Sequence, residues 1–154
     1  MNSSPRPDLK VFITFIVFLW SSGLYGQVPT PESVFGFEPG ADYKLASYQQ
    51  LLDFYRQLDA ASPRVELEEI GTTVLGRPLL LLYISSAENI EQLDRWKQIS
   101  RELANARIDD ETAQSHAEAG KAIVWIDGGL HATEVAPSQM LPRLAHHVAT
   151  DESD

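Results

Sequence analysis

The sequence has no cysteine in its 154 residues. That absence removes disulfides, thiolate metal sites and a cysteine nucleophile together. Any metal must then be held by His, Asp or Glu, and histidine is scarce, with four in the chain. Positive charge is the second shortage. Lys and Arg number 12 against 22 Asp and Glu, for a formal net charge of -10. Without a cluster of cations to neutralise phosphates, a nucleic-acid partner is excluded. The acidity favours solubility and selects no particular substrate. The third shortage is of long apolar runs. The longest, residues 11–20, is interrupted by Thr14 and falls short of the roughly 20 residues that a transmembrane helix needs.

That short run has telling neighbours. Arg6 and Lys10 precede it, and Ser21, Ser22, Gly23 and Gly26 follow. A charged, then apolar, then small-residue order is that of a secretory signal peptide. We expect residues 1–26 to be this signal, cleaved after Gly23 or Gly26, with an uncleaved anchor as the alternative. The mature protein is then expected to be secreted or periplasmic, with no stable membrane association. Residues 27–42 contain Pro29, Pro31, Pro39, Gly36 and Gly40, so they read as an irregular leader. Phe35 and Phe37 are placed to pin it to the surface of the following domain.

From residue 43 the pattern becomes periodic. Leu45, Tyr48, Leu51, Leu52, Tyr55 and Leu58 recur at spacings of three and four, which predicts a helix over 43–61 with Asp42 as its cap. Ser62-Pro63 ends it. Residues 64–71 alternate Val65, Leu67 and Ile70 with Glu66 and Glu68, as a half-buried strand does. Residues 71–76 are a turn. Residues 78–85 include Leu79, Leu80, Leu81, Leu82, Tyr83 and Ile84, a run suited to a strand covered on both faces. The two strands suggest a hairpin. A helix over 89–106, a polar helix over 109–120 ended by Gly120, a third buried strand over 121–127 and a helix over 135–148 complete the order. This is an α/β domain, a mixed β-sheet with flanking helices. Strands covered on both faces belong in larger sheets than three strands make, so residues 43–154 are expected to be the truncated front part of a larger domain rather than a small complete one.

The chemistry concentrates in Gly128-Gly129-Leu130-His131-Ala132-Thr133-Glu134. In open α/β sheets ligands gather at the carboxyl ends of strands. Glycines there permit a sharp turn. An imidazole and a carboxylate three residues apart can meet one cation, and zinc accepts nitrogen and oxygen ligands. By spacing alone the pair fits a solvated surface pair equally well. Asp127 is either an acceptor for the His131 ring or a plain turn residue. His116 is expected in solvent, and His146 and His147 near a helix end, where the dipole favours them, without a ligand role.

Context adds a resemblance. Glu69-Ile70-Gly71, Gly76-Arg77-Pro78-Leu79 and Ile84-Ser85 resemble the hairpin of the funnelin-type zinc carboxypeptidases, the M14 peptidases. The strand 123–127 and the Gly-x-His-x-x-Glu after it resemble that family's first metal motif. The resemblance covers residues 43 to about 148. It implies the N-terminal part of a zinc-carboxypeptidase-like (phosphorylase/hydrolase-like) fold, with His131 and Glu134 as the first two zinc ligands. It also implies a peptide substrate with a free C-terminus and hydrolysis of the C-terminal bond by a zinc-activated water. The third ligand, the substrate-binding arginines and the general base of that family lie further downstream and cannot be carried onto these residues. The chain itself is therefore expected to be an inactive fragment with no catalytic base of its own. Where the digestive members carry arginine immediately before the ligand glutamate, this chain has Thr133, so their specificity does not transfer. An amidase or deacylase on the same scaffold, and a non-catalytic binding fragment, are the other readings.

Overall fold

The structure, a computed structural model, describes residues 27–131 and 133–151. The expected signal peptide at 1–26 lies outside the described residues. Along the chain run α1 (Pro31–Phe35), α2 (Tyr48–Ala61), β1 (Val65–Thr72), β2 (Pro78–Ile84), α3 (Ala87–Glu91), α4 (Leu93–Asn105), α5 (Asp110–Ala119) and α6 (Val135–Thr150). The α/β class read from the sequence is observed, with helices flanking a sheet. No helix among the described residues is long and apolar enough to cross a membrane.

Helix α2 is the element that α1, β1 and α6 pack on. Its Phe54 and Leu58 are fully buried, in one cluster with Phe35, Ala46, Val65, Ala145 and Ala149. Burying side chains of this size is worth about 1.5–3 kcal/mol each. The helix starts five residues later than expected. Ser47 and Gln50 form a capping box, with Ser47 Oγ accepting from Gln50 N–H at 3.3 Å and Gln50 Oε1 accepting from Ser47 N–H at 3.0 Å. That box satisfies two of the donors a helix start leaves open. Upstream, Tyr43 sits at φ 60°, a left-handed conformation that a right-handed helix cannot contain.

The leader also differs from expectation. Thr30 caps a five-residue helix with Pro31 in its first turn, and Gly36 ends it at φ 75°. Proline is compatible with a first helical position because that N–H has no helical partner. Phe35 therefore enters the core, 5.9 Å from Phe54 between ring centroids. Gln50 Nε2 donates to its carbonyl at 3.1 Å.

Strands β1 and β2 form the expected hairpin, antiparallel, with Val65 opposite Ile84 and Leu67 opposite Leu82. A bulge falls between Glu69 and Gly71, and Ile70 there is 53% exposed. The bulge adds one residue to β1 and turns Ile70 out of the alternation. Asp59 of α2 accepts from Leu67 N–H at 2.9 Å, which satisfies one donor that an edge strand would leave open. At the base of the hairpin, Arg64 donates to the carbonyls of Ser85 and Asp151. Strand β2 is half-buried rather than covered on both faces, because the sheet among the described residues has two strands.

The third strand expected over 121–127 is not formed. Residues 121–130 have no regular secondary structure, and Ile123 to Ile126 are exposed. A run of β-formers becomes a strand only where a neighbour supplies the ladder, and no described strand pairs with this one. The expected helix over 89–106 is broken at Gln92, φ -106° and ψ 18°. At the break the Asn89 carbonyl accepts from Gln92 N–H at 3.2 Å and from the Trp96 indole at 3.1 Å.

Helix α4 is tied to the hairpin by charge. Lys97 Nζ lies 2.7 Å from Glu68 Oε2, and the Tyr83 hydroxyl donates to the same oxygen at 2.9 Å. The Lys97 ammonium, then the Tyr83 hydroxyl, hold the Glu68 carboxyl below its usual range. Glu68 in turn raises Lys97.

Two predictions follow from this packing. Phe54→Ala should destabilise the protein by about 3–5 kcal/mol in urea unfolding, the usual cost of a fully buried ring. Because Glu68 has a lowered folded pKa, its contribution is present above the ordinary carboxylate range and is lost as pH falls through that lowered value. Lys97→Met should therefore be less stable than the native chain at neutral pH. Melting midpoints of the two should converge as the pH is taken below the carboxylate range.

Candidate functional site

His131 and Glu134 are delivered by the loop that leads into α6. Helix α6 is anchored along one face. Its Gln139, Pro142, Ala145 and Ala149 are buried, at spacings of three and four. Gln139 is the polar member of this apolar stripe. Its Oε1 accepts from Ala46 N–H at 2.7 Å, and its Nε2 donates to Ala46 C=O at 3.4 Å. The amide thus pairs both backbone groups of a buried residue, a role the sequence reading missed. A glutamine within an otherwise apolar stripe was the available signal.

With α6 fixed, its N-terminal end positions the pair. Glu134 occupies the N-cap position but makes no side-chain cap bond. Its carboxylate turns back instead. Glu134 Oε1 lies 2.6 Å from His131 Nδ1. Glu134 Oε2 accepts from His131 N–H at 3.5 Å, and Glu134 N–H donates to His131 C=O at 3.0 Å. With a carboxylate at that distance, Nδ1 is assigned as the protonated ring nitrogen. The side chains are 77% and 48% exposed, so a solute can reach them.

Two glycines make this turn possible for different reasons. A Cβ on Gly128 would stand 2.9 Å from Pro137 Cβ and 3.1 Å from Leu141 Cδ1, so only glycine lets the loop lie this close to α6. Gly129 has φ +78°, a left-handed conformation that costs other residues about 1–2 kcal/mol.

The remaining candidates separate from the pair. Asp127 accepts from the Trp125 indole at 2.8 Å, so its carboxylate serves Trp125 and not the His131 ring. His116 is half-buried rather than solvated, 2.6 Å from Glu102 Oε2. With the Gln98 amide as the larger cause, this contact lowers the Glu102 pKa. His146 and His147 lie about 18–20 Å further along α6 at 1.5 Å per residue. They border an open cavity of about 470 Å³ with Thr30, Glu32 and Met140. This hollow lies along the later turns of α6, away from the pair.

The pair fits a metal half-site in its donors. An imidazole nitrogen and a carboxylate oxygen are an accepted zinc combination. Two ligands of one tetrahedral zinc with bonds of about 2.0–2.2 Å stand roughly 3.4 Å apart, so at 2.6 Å the two atoms stand at hydrogen-bond distance and would have to part to take up one ion. Among the described residues no group of three or more His, Asp or Glu converges on a common point. The described residues supply two donors and not a complete site.

Among known proteins, the family model described as zinc carboxypeptidase matches residues 51–154. No curated protein and no solved structure matches the chain.

Substitution at the two glycines tests the loop. Gly128→Ala should destabilise by about 1–3 kcal/mol through overpacking against Pro137, and Gly129→Ala by about 1–2 kcal/mol through its positive φ. Urea denaturation measures both.

Proposed function

This chain belongs to the zinc carboxypeptidase family, its match covering residues 51–154, and we propose that it carries the first half of a catalytic zinc site for hydrolysis of C-terminal peptide bonds. The observation that supports the reading is the 2.6 Å approach of His131 Nδ1 to Glu134 Oε1 at an exposed turn before a helix. In this reading His131 and Glu134 are two zinc ligands. The third ligand and the general base come from outside the described residues. When bound, zinc supplies Lewis acidity to the attacking water and the scissile carbonyl.

The chain's own residues do the positioning. Gly128 and Gly129 set the turn. In the metal-free turn the Glu134 carboxylate orients the His131 ring, and with zinc bound it would offer an anionic oxygen that offsets part of the metal charge. The anchored face of α6 keeps the carboxylate from moving with the loop. The substrate class is peptide with a free C-terminus, which follows from the family and not from any pocket at the pair. Export is part of the same proposal. Its support is the Arg6, Lys10 and apolar 11–20 order at the N-terminus.

Zinc titration of the chain by calorimetry tests this reading. Weak binding is expected, with loss in both His131→Ala and Glu134→Ala. His146→Ala/His147→Ala, which removes the two imidazoles near the end of α6, should leave it unchanged. No hydrolysis of peptides by this chain alone is expected. Zinc binding indifferent to both pair substitutions would overturn the assignment.

A further inference from the structure

Helix α6 is held in two different ways along its length. Ala145 and Ala149 belong to the core cluster with Phe54 and Leu58. Toward the pair the helix leaves the core. Val135 and Met140 are 45% and 49% exposed, and Ala136 is exposed too. Between the two stretches stands Pro142. A proline inside a helix has no N–H for the carbonyl four residues back, here that of Ser138, and its ring crowds that carbonyl. The helix is therefore weakest where the core stops holding it. The loop that carries His131 goes with the near stretch, because Gly128 lies against Pro137 and Leu141. Among residues 135–141 only Gln139 is buried, and its amide bonds to both backbone groups of Ala46.

We propose that residues 27–46, the leader and its run into α2, are a brace for the zinc pair, and that Gln139 is the positioning residue through which the brace keeps the first turns of α6 in line across Pro142. The brace is itself fastened. Phe35 sits in the core against Phe54. The Phe35 carbonyl accepts from the Gln50 amide, and Ala46 is buried. Glu38 lies 3.6 Å from Arg143, so the brace meets α6 on both sides of the proline. That exposed ion pair contributes little, and the buried amide carries the contact. Distance favours the same anchor. Gln139 is about 7.5 Å along the axis from Glu134, whereas Ala145 is about 16.5 Å away. A given tilt about the nearer anchor moves the carboxylate less. The brace precedes residues 51–154, which match the family, so family membership does not account for it. The inference rests on the zinc reading for what the pair does, and not for how the pair is held.

Hydrogen exchange on the full metal-free chain tests the brace without any variant. The amides of Ala46, Met140 and Leu141 should exchange through one shared opening, faster than those of Val148 and Ala149. In Gln139→Leu, which keeps the bulk and removes both bonds, Met140 and Leu141 should exchange roughly tenfold faster or more, with Val148 and Ala149 unchanged. Zinc affinity, measured by calorimetry, should fall about tenfold. In a Pro142→Ala background, where the helix regains its N–H, the same substitution should have a much smaller effect on both readouts. A merely stabilising role for Gln139 gives no such dependence on Pro142. Independent exchange of Ala46 overturns the proposal, as does an equal effect of Gln139→Leu with and without Pro142. Zinc bound equally well by the native chain and Gln139→Leu overturns the brace and keeps the metal reading. A native chain that binds no zinc but shows the expected exchange supports the brace and refutes only the metal reading.

Discussion

Everything at the pair depends on α6 being held along one side. The helix offers only a narrow stripe for burial, with Pro142, Ala145 and Ala149, and small side chains bring little area. The Gln139 amide compensates by pairing both backbone groups of Ala46. A buried donor left unpaired costs about 1–3 kcal/mol, so this contact sets the register of α6 against the segment leading into α2. Glu134 inherits its place from that register.

The second constraint is the missing Cβ at Gly128. Pro137 and Leu141 leave no room for one. The loop can therefore run close under the first turns of α6, and His131 arrives at the carboxylate and not beside it. The result is a carboxylate and an imidazole in hydrogen-bond contact at an exposed turn. Such a pair is worth little as a stabilising contact at this exposure. It gains meaning from the chemistry of its atoms, which are those that zinc accepts. The contrast with Glu68 and Lys97 is instructive. That ion pair spans elements far apart in the chain and joins α4 to β1, whereas His131 and Glu134 join nothing but their own turn.

How much was legible varied with how local each signal is. The hairpin was legible, since alternation in 64–71 and the turn at Gly76 are local. The α2 face was legible from Leu52 and Leu58, but its start was not, because Leu45 imitates the period while Ser47 and Gln50 form the actual cap. Pro31 read as a breaker, although in a first helical turn it is compatible with the helix. The break at Gln92 was hidden by a periodic run of Ile90, Leu93 and Trp96 that continues through it. The half-burial of His116 was not legible, since its partner Glu102 lies on another helix.

By itself, then, the sequence determined the α/β class, the hairpin, the membership signalled by its two motifs, and the spacing that puts His131 and Glu134 on one turn. These follow from periodicity and backbone preference over a few residues. The tertiary structure alone decided that β2 is half-covered, that Asp127 serves Trp125, that Gln139 anchors α6, and that residues 121–127 lie exposed without a ladder. The physical reason is the same in each case. A strand, a buried amide or a carboxylate takes its state from a partner distant in the chain, and no local pattern specifies whether that partner is present.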